Sequence, residues 1–211
     1  MKILIACEFS GRVRDAFIAQ GHEAISCDLL PSDAPGPHIQ GCALEALATG
    51  AYDACIAFPP CTHLCSSGAR WWSEKAAEQA EAIEFVKALW QCGPAKMAIE
   101  NPVGKLSTAW QKPSQIIQPW QHGHGETKTT CLWTRGLPFP HPSNVVEGRR
   151  PHCWLSPDSK DRWKRRSVTF EGIAAAMATQ WGGENECNRC AGPRNLEGSV
   201  YCKSCLNWEE A

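Results

Sequence analysis

Apolar and polar positions along the chain fall into two alternating textures. Short runs that are apolar throughout and often β-branched give way to longer stretches with apolar residues at helical spacing. Residues 2–6 read as a first buried strand, 7–11 as a turn in which Ser10 can cap a helix, and 12–20 as that helix. Val13, Ala16, Phe17 and Ile18 carry its apolar pattern, and Gly21 ends it. A second strand, 22–27, leads into Asp28. Residues 30–40, with three prolines, read as a loop, and 42–48 as a short helix or turn. A third strand, 52–58, stops at Pro59-Pro60, which cannot continue a central ladder, and then presents Cys61. The clearest helix is 73–90, where Ala82, Ile83, Val86, Leu89 and Trp90 make an apolar stripe. Residues 96–99 form the next strand and deliver Glu100-Asn101-Pro102. After 104–121, which has no clear period, a glycine-rich turn at 122–128 precedes a strand at 129–134. A proline-rich turn follows at 137–142, and 171–181 is the last helix, closed by Gly182-Gly183. Strands alternating with helices predict an α/β fold, a Rossmann-like sheet with helices on both faces.

Composition changes this picture in three ways. With 211 residues the chain can bury one full core and carry a small appendage. Its 43% hydrophobic and 20% charged residues are ordinary for a soluble globular domain. A net charge of −1 gives no global pull toward nucleic acid, so any such affinity must come from a local patch. One exists at 149–166: Arg149, Arg150, Lys160, Arg162, Lys164, Arg165 and Arg166 stand against Asp158 and Asp161, with Trp154 and Trp163 between them. A phosphate-contact patch and a solvated loop both fit that composition. The apolar run after Met1 is too short for a signal peptide, and no later run could span a membrane. The thirteen cysteines are therefore expected to be mostly reduced thiols in a cytoplasmic protein with no membrane partner. Nothing in the sequence sets an oligomeric state. Of the ten tryptophans most are expected to pack, and some could line a cleft that stacks bases.

The candidate chemistry sits where strands end, since loops after the carboxyl ends of strands bind ligands in open α/β sheets. Cys61 is a candidate nucleophile and Glu100, one crossover away, a candidate acid–base group. The first strand–turn–helix–strand unit ends at Asp28, an acid that can accept ribose hydroxyl bonds or stand solvated. Its turn holds one glycine, Gly11, where dinucleotide folds show three, which speaks against a nicotinamide site. His122 and His124 lack the partners of a ligand set and read as loop polarity. The tail differs in character from the rest. Cys187-Asn188-Arg189-Cys190 and Cys202-Lys203-Ser204-Cys205, eleven residues apart, have the spacing of two zinc knuckles. The chain is thus divided into a catalytic domain at 1–183 and a structural zinc ribbon at 184–211.

Taken in order, these parts resemble the DNA cytosine-5 methyltransferase family over residues 1–182, and more closely its short phage and prophage members. Pro59-Pro60-Cys61 matches the family's nucleophile motif, following Asp53, and Glu100-Asn101-Pro102 its Glu-Asn-Val motif. Phe9-Ser10-Gly11 is similar to the start of its cofactor turn, Asp28 to its ribose acid, and 167–181 to its last helix. The resemblance implies a Rossmann-like S-adenosylmethionine-dependent methyltransferase sheet and methylation of cytosine carbon 5 in DNA through a Cys61 adduct. It implies cofactor contacts at Phe9, Ser10, Gly11, Asp28, Asp53 and Pro59, and substrate contacts at Pro60, Asn101, Lys128 and Thr130. The chain departs from the family at Glu126-Thr127-Lys128-Thr129-Thr130, which stands where a Gln-x-Arg-x-Arg strand is usual, and at Phe58, where glycine is usual. Only about 36 residues separate Thr130 from Ser167, too few for the family's target-recognition domain. Two alternatives therefore stay open: the same thiolate chemistry on a single strand or a cytosine nucleotide, and a non-catalytic zinc-ribbon protein that binds nucleic acid.

Overall fold

The computed structural model describes residues 1–182. Within them the expected alternation of strands and helices forms a mixed α/β domain around one seven-stranded sheet. β1 (Lys2–Ala6), α1 (Arg12–Ala19) and β2 (Glu23–Asp28) make the first unit, followed by β3 (His38–Gln40), α2 (Ala43–Ala48) and β4 (Ala54–Ala57). Then come α3 (Ala76–Cys92), β5 (Lys96–Pro102), α4 (Leu106–Ala109), β6 (Gln115–Ile117) and β7 (Thr130–Arg135). The chain closes with α5 (His152–Leu155), α6 (Arg162–Ser167) and α7 (Glu171–Gly182). The strand order is β3-β2-β1-β4-β5-β7-β6. β1 to β5 are parallel, while β7 runs antiparallel to β5 and β6 antiparallel to β7.

The central strands bury both faces, which is why their sequences are apolar throughout rather than alternating. On one face Leu4, Cys55, Met97 and Ile99 pack against Leu47 of α2 and Ile83, Val86 and Leu89 of α3. On the other, Ile3, Ile5, Ile56 and Ala98 meet Val13 and Phe17 of α1 and Ile173, Met177 and Trp181 of α7. Chain order reverses at β1, which has β2 on one side and β4 on the other. The crevice above the carboxyl ends of β1 and β4 is therefore the place where an open α/β sheet accepts a ligand.

The structure departs from the sequence reading at the sheet's edges and in one strand that matters. The expected loop at 30–40 ends in β3, three residues paired with β2, and the aperiodic 104–121 segment holds α4 and β6. Edge strands this short carry no measurable period. Glu100-Asn101-Pro102 does not follow its strand but lies inside it: β5 pairs with β7 through Pro102, opposite Thr130. Pro102 is tolerated because it is the last residue of the strand. Helix α3 starts at Ala76, three residues after the expected Ser73 cap.

One charged side chain holds the loop after β2. Arg14, on α1, is completely buried. Its guanidinium donates to Pro35 O at 2.7 Å, to Ser26 Oγ and Ser32 Oγ at 3.2 Å each, and pairs with Asp15 at 2.7 Å. Gly36, at φ 137°, passes so close that a Cβ there would lie 2.8 Å from Arg14 Cζ. Gly11, at φ 75°, approaches the same guanidinium from the turn after β1, and its Cβ would lie 2.4 Å from Nη2.

Candidate active site

The thiol of interest begins a tight turn after β4. The Cys61 carbonyl accepts from Leu64 N at 3.0 Å and Cys65 N at 2.9 Å. The stretch that follows is tied down by the backbone beyond β5: Ser66 N donates to Val103 O at 3.0 Å and Lys105 N to Leu64 O at 2.8 Å. Gly104 makes that approach possible, since a Cβ there would stand 1.9 Å from Leu64 O. No flexible side chain can yield in this contact, so Gly104→Ala must displace the Cys61 turn. We expect it to lower turnover about 10²-fold or more, as a misplacement near 1 Å does, with the far-ultraviolet dichroism of the wild type. Wild-type turnover would show that the turn tolerates displacement.

Glu100 and Asn101 are adjacent in sequence, and the two-residue period of β5 sends them to opposite faces. Asn101 is 1% exposed and donates from Nδ2 to Pro59 O at 2.8 Å. It thereby fixes the Pro59-Pro60-Cys61 corner from beneath, while its Oδ1 is buried with no partner. Glu100 faces the α7 side and helps line a narrow cleft with Lys128, Thr130, Ser167, Thr169 and Phe170. That cleft has a cavity volume of about 10 Å³, room for about one water. Admitting anything larger therefore requires its walls to part. One wall is a single tether: Lys128 Nζ donates to Arg166 O at 2.9 Å and lies 5.8 Å from the Phe170 ring centre. Thr130 is buried, with its hydroxyl donating to Lys128 O at 3.0 Å.

Cys61, Glu100 and Lys128 are near enough to act on one another's charge. Burial pushes the Cys61 thiol up to about 11, Glu100 and Cys65 add to the rise, and Lys128 opposes it. Burial also raises the Glu100 carboxyl, with Lys128 pulling the other way. At neutral pH Cys61 therefore rests as a thiol, and burial biases Glu100 toward its acid form: a latent nucleophile beside a candidate proton donor. That combination suits addition to an electron-poor ring whose nitrogen must be hydrogen-bonded as the thiolate attacks.

The other expected residues fall in two places. Phe9, Ser10 and Gly11 form the turn after β1, Asp28 ends β2, and Pro59 is buried after β4, so all border the crevice at the reversal of strand order. Asp28 accepts from Leu30 N at 2.9 Å. Pro60 is exposed beside Cys61. Asp53 is elsewhere: it precedes β4, and its carboxylate accepts from Lys2 N at 2.7 Å at the amino end of β1. The four residues of β4 lie between it and the crevice, about 13 Å at a strand's rise. It cannot reach a group bound there and is a strand-end tie. The four tail cysteines, Cys187, Cys190, Cys202 and Cys205, lie outside the described residues. Among the described residues no group of three potential ligands could hold a metal. His122 bonds Ser143 Oγ at 3.0 Å, and His124 Nε2 accepts from Gly172 N at 2.9 Å, so both serve packing. The nine described cysteines are free, and no described helix is long and apolar enough to cross a membrane.

Sequence reasoning passed over Glu8, directly after β1. It is 4% exposed; Oε1 accepts from Arg12 N at 2.9 Å and from the Ser10 hydroxyl, while Oε2 is buried with no partner. Burial raises its carboxyl. A glutamate next to a helix-starting Ser-Gly was the available signal. The basic segment also gains definition. α6 lies over the turn after β1, with Trp163 edge-on to Phe9 at 6.3 Å, Lys164 Nζ 5.1 Å from the same ring, and a 2.6 Å bridge from Lys164 to Asp33.

Fold and site together define an open α/β domain with a thiol and an acid at the carboxyl edge of its sheet. No family model matches the chain, and no curated protein matches it. Among solved structures it is similar to that of the Entamoeba histolytica methyltransferase EhMeth, at 12% identity and a TM-score of 0.45. The match covers 75% of this chain and 60% of that one, so the chain spans less than two thirds of that protein's length.

Proposed function

We propose that the chain is an S-adenosylmethionine-dependent methyltransferase that acts on carbon 5 of cytosine in DNA. The observation that carries this reading is the placement of Cys61 within reach of the charges of Glu100 and Lys128, which line one cleft, beside a crevice bordered by Phe9-Ser10-Gly11 and Asp28. The crevice residues fit S-adenosylmethionine. Asp28 is an acid at the end of the second strand, suited to ribose hydroxyls, and Glu8 keeps a buried oxygen without a partner. When bound, that group supplies an electrophilic methyl. Cys61, as the thiolate, adds to carbon 6 of the ring while protonated Glu100 holds ring nitrogen 3. Electron density then collects at carbon 5, the atom to be methylated. Loss of the carbon 5 proton to a base and expulsion of the thiolate restore the aromatic ring. Asn101 holds the nucleophile's corner throughout, and Lys128 is the cation nearest the pair.

Glu100→Gln tests the acid's role. An amide can still donate a hydrogen bond but cannot give up a proton, so turnover should fall about 10²- to 10⁴-fold. Stability should move the opposite way. The folded carboxyl pKa is raised, so the stabilisation linked to Glu100 is fully present below the unfolded pKa and lost as pH rises through the folded value. The variant lacks this loss and should melt higher than wild type at pH 8, with the gap closing toward pH 4. Equal turnover, or a gap independent of pH, would contradict the assignment.

The tail is proposed to carry one structural zinc on Cys187, Cys190, Cys202 and Cys205. Metal analysis of the purified chain should give one zinc, and Cys202→Ser with Cys205→Ser should give none. Zinc retained by that double variant would rule the ribbon out.

A further inference from the structure

The structure holds a second concavity that the methyl-transfer chemistry does not use. It is a groove of about 490 Å³, within the roughly 300–1,000 Å³ typical of ligand sites. Its walls come from the stretch after Cys61, through Ser67 and Arg70, and from the basic segment, through Ser156, Asp158, Arg162 and Arg166. Three arginines against one aspartate leave it positive, and Asp158 is already paired with Arg162. Arg162 and Arg166 stand one helical turn apart on α6 and so share a face, while Trp163 and Lys164 turn to Phe9. Next to Arg70, whose guanidinium carbon is 5.0 Å from its ring centre, Trp71 is 47% exposed.

The groove is also joined to the reaction cleft at two points. Ser67 Oγ donates to Cys65 Sγ at 3.2 Å, at the end of the Cys61 turn, and Arg166, which lines the groove, supplies the carbonyl that tethers Lys128. A chain of phosphates lying in the groove would thus pass directly beside a base entering the cleft. We propose that the groove binds the backbone of an unpaired DNA strand flanking the target cytosine, with Trp71 as a stacking face. The placement of the target base rests on the reading of Cys61 and Glu100 above. Positive side chains beside an exposed aromatic are what a single strand needs. A duplex must in addition be opened, and the flipped base's neighbours must be held apart. Between β7 and α7 the largest elements are α5, of four residues, and α6, of six. Neither has the length to enter a duplex groove and fill that gap.

The test is fluorescence anisotropy with the full chain and no methyl donor. The probe is a labelled twelve-nucleotide DNA containing one cytosine, offered single-stranded and as a duplex. The single strand should bind at least about tenfold tighter, with log K falling against log salt at a slope near −2, about −0.7 for each of three phosphates. Arg70→Glu, Arg166→Ala and Trp71→Ala should each weaken it about tenfold. These side chains line an open groove or its rim, and unchanged melting temperatures would show that the variants fold. Equal affinity for duplex and single strand, or variants that bind like wild type, would overturn the proposal. Methyl transfer is read separately. Strand binding as expected with no transfer to any substrate would leave the groove standing and remove the methyltransferase reading. Transfer to duplex DNA undiminished in the three variants would do the reverse.

Discussion

Cys61→Ser is expected to lower methyl transfer to cytosine about 10⁴-fold or more, with the wild-type melting curve retained. Loss of a covalent nucleophile removes the step on which every later one depends. Serine is close in size to cysteine, but its hydroxyl is a far weaker nucleophile. Of the groups whose charge acts on Cys61, Glu100 is biased toward its acid form by burial and Lys128 donates to Arg166 O. Folding should be unaffected, because the turn is built from the Cys61 carbonyl and from the backbone around Gly104. Single-turnover transfer and thermal melting, measured side by side, separate the two effects. Residual turnover within tenfold of wild type would remove Cys61 from the chemistry.

The second large effect is on stability. Arg14→Met is expected to cost about 3–5 kcal/mol in urea denaturation, the range for breaking a buried network. A methionine fills part of the volume but leaves the Pro35 carbonyl and the Ser32 hydroxyl without the guanidinium that now serves both. Asp15 is half exposed and will simply solvate, and Ser26 keeps its 2.8 Å bond to His38, so the cost falls on the loop between β2 and β3. Arg14→Lys should recover less than half of the loss, since an ammonium cannot reproduce the guanidinium fork. The same loop carries Asp33, partner of Lys164, so the variant should also loosen α6 over the turn after β1. A loss below about 1 kcal/mol would mean that the loop holds itself.

The contrast between these residues shows what the sequence could and could not disclose. β1 and β4 announce themselves as short runs that are apolar throughout and α3 by its apolar stripe, and Cys61 was found because two prolines mark where its strand must stop. Arg14 was invisible: on a helix, a charged residue beside Asp15 reads as solvated surface, and only the folded loop shows what it binds. Glu100 and Asn101 were taken together because they are neighbours in the chain, yet the strand period separates them into cleft and underside. Asp53 was misplaced for a related reason. A few residues along a helix is a short distance, but along β4 it is the depth of the sheet. Glu8 was missed because the sequence shows only an acid beside a helix start, while the unpaired buried oxygen that sets it apart appears in the fold. Short edge strands such as β3 and β6 are held by their neighbours' ladders, and their own residues say little.

The central claim is that Cys61, with Glu100, activates cytosine toward a methyl donor. Its most direct test is transfer of labelled methyl from S-adenosylmethionine to single-stranded DNA, duplex DNA and dCMP, followed by digestion and identification of the labelled base. Label on carbon 5 of DNA cytosine, strongest on the single strand, is the expected result. No label on any of the three from folded, zinc-loaded protein, or label on a base other than cytosine, would contradict it.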